Sequence, residues 1–164
     1  MISAIVAVDT NWGIGFNGEL LETIPEDLKR FKQLTTGNTV VMGRKTWDSL
    51  PIKPLPNRSN LIITKNPIGC PIEIDYQFTD LPAAIEIILS DVKNDVFIIG
   101  GGQIYKQLLP YCDKVYVTKI YRKHENIDTY FPNLDKMTEW KMEEQSPIYL
   151  SNGIPYSFIN YART

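Results

Sequence analysis

Apolar positions along the chain gather in short, nearly continuous runs separated by longer amphipathic stretches. Ile2 to Val8 (ISAIVAV) is almost wholly apolar and rich in β-branched residues, the pattern of a strand covered on both faces. Similar runs lie at Thr39 to Met42, Leu61 to Thr64, Val96 to Ile99 and Val115 to Ile120, each bounded by Gly, Asn, Asp or Pro. Between them stand four helical stretches. The first spans Ile24 to Thr35, with Thr23 as N-cap, Glu26 as its capping-box partner and Pro25 in the first turn. A second covers Arg44 to Leu50. The third, Leu81 to Leu89, follows the caps Thr79 and Asp80, and the fourth starts within Gly100-Gly101-Gly102 and ends near Pro110. This alternation predicts βαβ units, and so an α/β domain with a mainly parallel central sheet and helices on both faces. Glu139 to Gln145 and Pro155 to Ala162 alternate around Ser151-Asn152-Gly153, which predicts a C-terminal antiparallel hairpin at the sheet's edge. With no repeat, low-complexity tract or linker, one domain over residues 1–164 is expected.

Charge and composition narrow the function classes. A net charge of −2 gives no broad basic face for nucleic acid or anionic lipid, so the expected partner is a small molecule. The chain is 43% apolar with 3 Trp, 9 Tyr and 6 Phe, enough for a sizeable core. No apolar run approaches the roughly 20 residues of a membrane span, and the first residues lack a basic leader, so a soluble, cytoplasmic protein is expected. Cys70 and Cys112 form no CxxC and are too few for a disulfide framework, which fits a reducing compartment. The single histidine, His124, is flanked by Arg122, Lys123 and Glu125 and reads as a solvated loop residue. A zinc site or a Ser/His/Asp triad would rest on that one ring, so no metal is expected.

Two glycine-rich segments invite a nucleotide reading, and they are not equivalent. Gly13-Ile14-Gly15-Phe16-Asn17-Gly18 matches GxGxxG, but Asp9 to Trp12 precede the glycines and the next helix begins only near Ile24. The dinucleotide fingerprint needs a turn that leads at once into a helix, so this match is rejected. A loop of about 15 residues, Asp9 to Thr23, is better read as a mobile lid. Val96 to Tyr105, by contrast, runs from a buried strand through three glycines directly into a helix, presenting bare N–H groups to an anion. Met42-Gly43-Arg44-Lys45-Thr46 is a second strand-glycine-helix junction, with two cations that oppose the helix dipole unless a phosphate lies between. Two such sites at strand C-termini suit an extended dinucleotide. On the first helix Asp27 borders the apolar stripe Leu28, Phe31 and Leu34, while Glu26, Lys29, Arg30 and Lys32 read as the solvated side. Asp27 could be a working acid or simply a first-turn residue favouring the dipole.

These segments, taken together, resemble dihydrofolate reductase. The resemblance rests on Met1 to Ala7, the Gly13-Ile14-Gly15 loop, Pro25-x-Asp27-x-x-x-Phe31-Lys32, Val41-Met42-Gly43-Arg44-Lys45-Thr46-Trp47-x-Ser49-Leu50 and Leu55-Pro56-x-Arg58. It continues through Asn60 to Thr64, Ile98-Ile99-Gly100-Gly101-Gly102-x-Ile104-Tyr105, Val115-x-Val117-Thr118-x-Ile120 and Asp128-Thr129-x-Phe131-Pro132, in the family's order. It implies NADPH-dependent reduction of dihydrofolate to tetrahydrofolate, a hydride passing to C6 of the pterin and a proton to N5. Asp27 takes the place of the carboxylate that receives the pterin N3–H and 2-amino donors. Position by position, Ile5, Val6, Leu28, Phe31, Leu50, Ile99 and Tyr105 would wall the substrate, Thr118 would support the acid, and Arg58 would bind the glutamate tail. Arg44, with Lys45, Thr64 and Lys65, would hold the adenosine 2′-phosphate. Thr46, Gly101, Gly102 and Gln103 would take the pyrophosphate, with Ala7, Ile14, Gly15, Gly43, Ser49 and Ile104 completing the NADPH site. The resemblance further implies a monomer, antifolate binding and a cis peptide at Gly100-Gly101.

One departure stands out. Where the family reads Leu-Pro-Trp, this chain has Leu20-Leu21-Glu22-Thr23-Ile24-Pro25, so a carboxylate replaces the indole beside the pterin. Glu22 either turns to solvent with the lid or faces the pocket as a second acid; solvent is favoured, because two close carboxylates do not both ionise cheaply. A non-catalytic nucleotide- or pterin-binding module on the same fold, or a reductase of another pterin or pyrimidine, remains the alternative.

Overall fold

The computed structural model describes residues 1–90 and 92–164. Its strands are β1 (Ile2–Val8), β2 (Gly13–Phe16), β3 (Glu19–Leu20), β4 (Thr39–Gly43), β5 (Ser59–Ile63), β6 (Tyr76–Thr79), β7 (Val96–Gly100), β8 (Lys114–Ile120), β9 (Thr129–Tyr130), β10 (Trp140–Gln145), β11 (Tyr149–Ser151) and β12 (Ile154–Arg163). Helices α1 (Pro25–Thr35), α2 (Arg44–Ser49), α3 (Leu81–Ser90) and α4 (Gly102–Leu108) lie between them. Nine strands form one sheet in the order β10-β12-β8-β1-β7-β4-β5-β6, with β11 pairing on β12. β1, β4, β5, β6, β7 and β8 pair in parallel, and the C-terminal strands join antiparallel.

The continuous apolar runs are explained by layers on both faces. Val40, Val41 and Met42 are each 0% exposed, yet Val41 belongs to one apolar cluster and its two neighbours to another. Adjacent strand residues point to opposite faces, so a strand with both faces covered must be apolar throughout. One layer joins Val41, Ile98 and Val117 to Ala84 and Ile88 of α3 and Ile104 and Leu108 of α4. The other joins Ile5, Met42 and Ile62 to Trp47 of α2 and to Phe31 and Leu34 of α1.

Several local expectations are corrected. Thr23 does not cap α1: Ile24 occupies the N-cap position without a side-chain cap, and its carbonyl accepts from Asp27 and Leu28 N–H. Ile24 is 2% exposed against Ile120 and Tyr156, so burial rather than capping sets where the helix starts. Asp80 does cap α3, accepting from Ala83 N–H at 2.9 Å. β6 leaves little trace in the sequence, because a four-residue strand interrupted by Gln77 gives little periodicity. Asn152 and Gly153 (φ 49° and 80°) form the turn between β11 and β12. Glu139 to Gln145 instead pairs farther along β12 through a register shift at Met142/Glu144. β12 therefore lies inside the sheet and β10 takes the edge.

The Asp9 to Thr23 segment, expected as a long loop acting as a mobile lid, carries β2 and β3, which join β9 in a second, three-stranded sheet in the order β3-β2-β9. Gly13 and Gly15 are strand residues here, which removes any dinucleotide-turn role for that GxGxxG match. Asp128 N–H donates to Gly15 O at 3.1 Å, Phe131 N–H to Trp12 O at 2.9 Å and Asn17 N–H to Asp128 Oδ2 at 2.9 Å. The lid is thus stitched to residues 128–131. It is also held at its stems.

Candidate active site

Parallel strands bring their C-terminal ends to one edge of the sheet, and the chemistry-bearing residues collect there. Asp27 sits in the first turn of α1, over β8. Thr118, 2% exposed and paired in register with Ala7 on one side and Phe158 on the other, donates its hydroxyl to Asp27 Oδ1. Burial pushes the Asp27 carboxyl above its ordinary 3.8, opposed by the Thr118 hydrogen bond and the Arg30 charge.

Arg30 is the residue that pattern reading misplaced. It follows Asp27 by one turn of α1, but it is half-buried rather than on a solvated side. Its guanidinium lies 4.3 Å from the Phe158 ring centroid and 5.6 Å from that of Tyr116, and it donates to Asn160 Oδ1 at 2.8 Å. Asn160 in turn donates to Glu144 at 3.3 Å. A long side chain folded along aromatic rings can stand on an apolar face, which helical periodicity does not reveal.

The residues expected to wall the substrate are distributed over both layers of the fold. Ile5, Phe31, Leu50 and Ile99 share one cluster, and Leu28 is 50% exposed at its open side. Val6 is a correction: its side chain lies in the opposite layer with Val8, Trp12 and Ile14, so only its backbone can border a cleft walled by Ile5. Tyr105 is buried, its hydroxyl donating to Ile5 O at 2.7 Å, and burial raises its pKa far above the ordinary range. Arg58 is 8% exposed, donating to Pro56 O at 2.9 Å and Thr35 Oγ1 at 3.1 Å, with its guanidinium 5.9 Å from the Phe31 ring. Two of its five donors are engaged, which leaves a fork for a planar anion.

At the other end of the edge, β4 runs through Gly43 into α2 and β7 through Gly100 into α4. The Gly100-Gly101 peptide is cis and Gly100 has φ 140°. A Cβ on Gly43 would stand 3.0 Å from Ile104 Cγ1 and 3.7 Å from Gly101 N; one on Gly100 would stand 3.1 Å from Thr46 Oγ1. The two turns approach each other closely: Gly100 takes a positive φ that favours glycine, and a side chain at Gly43 would press on Ile104. Gly101, Gly102 and Gln103 open α4, and Thr46 faces them from α2. Such a cradle, with α2's exposed Lys45 beside it, fits a dinucleotide pyrophosphate. Arg44 leans on Asp48 at 3.3 Å and over the Phe78 ring at 5.1 Å, Ser49 donates to Thr46 O at 2.7 Å, and Thr64 and the exposed Lys65 follow β5. Ala7 packs with Ile24 and Ile120; Ile14 is buried and Gly15 paired in β2, whereas Leu20 is 66% exposed on β3.

Glu22 borders a small cavity with Ala7, Ile14 and Ile120, and it is engaged by neighbouring side chains. Its carboxylate is 3.2 Å from His124 Nε2 and 3.6 Å from Arg122, while His124 Nδ1 is 3.2 Å from Asp9 Oδ2. His124 is accordingly not a solvated loop histidine; it is clamped between two carboxylates contributed by distant parts of the chain. A cavity of about 500 Å³ opens at the opposite edge of the sheet, lined by Asn60, Glu73, Asp75, Lys93 and their neighbours, and contains none of these residues.

Comparison with known proteins decides the family. A family model described as dihydrofolate reductase matches residues 1–163. The chain is 36% identical to the dihydrofolate reductase of Bacillus subtilis, over 99% of this chain and 95% of the other. It is 34% identical to that of Mycobacterium leprae, over 100% and 99%. Its structure superposes on a dihydrofolate reductase from Enterococcus faecalis, complexed with NADP(H) and RAB-propyl, with TM-score 0.86 and 31% identity, covering 100% and 96% of the two chains.

The chain belongs to the dihydrofolate reductase family. Its activity is that of the family, NADPH-dependent reduction of 7,8-dihydrofolate to 5,6,7,8-tetrahydrofolate. Against that chemistry, the raised Asp27 pKa has a stability counterpart. A carboxyl that holds its proton more tightly when folded stabilises the fold fully below about pH 3.8 and loses that contribution as pH rises through the folded value. Asp27→Asn is therefore expected to be more stable than the natural chain at pH 7, with the gain vanishing at pH 3.5. Urea midpoints at the two pH values check this.

Proposed function

We propose that Asp27 is the residue of this dihydrofolate reductase that grips the pterin, with its carboxylate receiving the N3–H and 2-amino donors. The observation that carries the reading is a partly buried carboxyl at the rim of an apolar wall, oriented by Thr118 and paired with no cation at salt-bridge distance among the described residues. A carboxylate acting alone in such a place favours a planar ligand that offers two parallel donors. Ile5, Phe31, Leu50 and Ile99 then cover the ring and exclude water, while Leu28 closes the open side. NADPH, when bound, supplies the hydride that C6 accepts. The glycine turns at Gly43 and Gly101-Gly102, with Thr46 and Gln103, hold its pyrophosphate, and Arg44 with Lys45, Thr64 and Lys65 holds its 2′-phosphate.

Arg58 receives the α-carboxylate of the substrate's glutamate tail in this reading, which favours dihydrofolate over a tailless pterin. Antifolates with a protonated diaminopyrimidine bind the Asp27 carboxylate by the same two-point match. The chain acts as a one-domain cytoplasmic monomer on small molecules, and its net charge of −2 supports the exclusion of nucleic acid. No described helix is long and apolar enough to cross a membrane.

Two experiments test the assignment. Asp27→Asn should lower hydride transfer at neutral pH by roughly 10²- to 10⁴-fold in single-turnover NADPH absorbance; near-normal transfer by folded protein would remove Asp27 from its role. Arg58→Leu should raise KM for dihydrofolate roughly 10- to 100-fold, the worth of a charge-assisted pair, and leave KM for a tailless dihydropterin unchanged. Equal effects on both substrates would show that Arg58 supports the fold rather than the tail.

A further inference from the structure

The segment from Thr10 to Leu21, which carries Ile14, Gly15 and Leu20, leaves β1 at Asp9 and leads at Glu22 toward α1. Both stems meet one imidazole. Asp9 is 0% exposed; its Oδ1 accepts from Asn11 N–H at 2.9 Å and Gly13 N–H at 2.8 Å, and its Oδ2 faces His124 N–H at 3.3 Å and His124 Nδ1 at 3.2 Å. Glu22 Oε1 faces His124 Nε2 at 3.2 Å from the other side of the ring. The two carboxylates lie on opposite ring nitrogens and so do not converge on a common metal ion.

A neutral imidazole has one N–H and one bare nitrogen, so it can donate to only one of these carboxylates and sets a lone pair against the other. Imidazolium donates to both. The other charges around the bridge are mixed in sign: Glu22 also faces Arg122 at 3.6 Å, Lys119 on β8 lies over the Trp12 ring and feels the Asp9 charge, and Lys123 and Glu125 flank the histidine in sequence. Thr10 N–H and Oγ1 both reach Arg122 O at 3.2 Å, which ties the first stem to the same segment.

We propose that His124 is a positioning residue that pins both stems of the lid, and that uptake of one proton by its ring closes the clamp. Glu22 is the lid's half of it, which gives this chain's acidic residue at that position a role away from the pterin. The consequence for catalysis rests on the reading of Ile14 and Gly15 as cofactor-site residues: a lid held at both stems should keep NADPH more tightly at acid pH than at alkaline pH.

Two measurements on the full chain test this with His124→Gln and Glu22→Gln, beside the natural protein. The first is amide hydrogen exchange of residues 10–22 without ligand, expressed at each pH as the ratio of variant to natural chain. At pH 6 both variants should exchange about fivefold faster or more, a coupling of ordinary size, and the ratio should fall toward one by pH 8.5. A ratio that is one throughout, or that does not change with pH, overturns the clamp. Glu22→Gln keeps the histidine, so a fold lost in His124→Gln does not remove the test. The second is the NADPH dissociation constant over the same range, expected to weaken in the variants at pH 6 and to converge at pH 8.5. A pH-dependent exchange ratio with unchanged NADPH affinity upholds the clamp and overturns the cofactor role of the lid.

Discussion

The placement of one carboxyl group organises this molecule. Removing Asp27 from water raises the cost of its charge, and only the Thr118 hydroxyl and the more distant Arg30 guanidinium offset it. That residual demand is what a ligand with two parallel donors can meet. Much of the surrounding architecture can be read as what holds the group there. Ile24 anchors the start of α1, Pro25 begins its first turn, and β8 presents Thr118 between β1 and β12. The proposed site therefore sits at a point where the fold is less stable than it could be, a common cost of a working site.

The cofactor end follows a different rule. There the chain presents backbone rather than charge, and the β4 and β7 turns come close through Gly43 and through Gly100, whose positive φ favours glycine. The cations nearby, Arg44, Lys45 and Lys65, stand on exposed positions at strand ends, where they can meet phosphate without first being desolvated. Both ends share one edge because six strands run parallel and α1 sets Asp27 over β8, so the fold places the proposed pterin and dinucleotide sites side by side.

Much of this was legible from the residues. Buried parallel strands announce themselves as unbroken apolar runs, and a strand that passes through Gly100-Gly101-Gly102 into a helix has few other readings. Asp27 was recognisable as a carboxylate beside an apolar stripe, although only the matching motifs gave it a role. What escaped was non-local. Arg30 looks solvated on a helical wheel, because its burial is provided by Phe158, Tyr116 and Asn160, more than eighty residues away. Val6 looks like a neighbour of Ile5, but the pleat sends it to the other layer. His124 and Glu22 each seemed solvated alone, and their pairing depends on a lid sheet whose strands are too short to leave a periodic signal.

The most direct measurement is a crystal structure of the chain with folate and NADP(H). The account predicts both Asp27 carboxylate oxygens within about 2.7–3.2 Å of the pterin 2-amino group and N3, with the cofactor pyrophosphate lying on the Gly101-Gly102 turn. A pterin bound away from Asp27, with that carboxyl still turned only to Thr118, would contradict it.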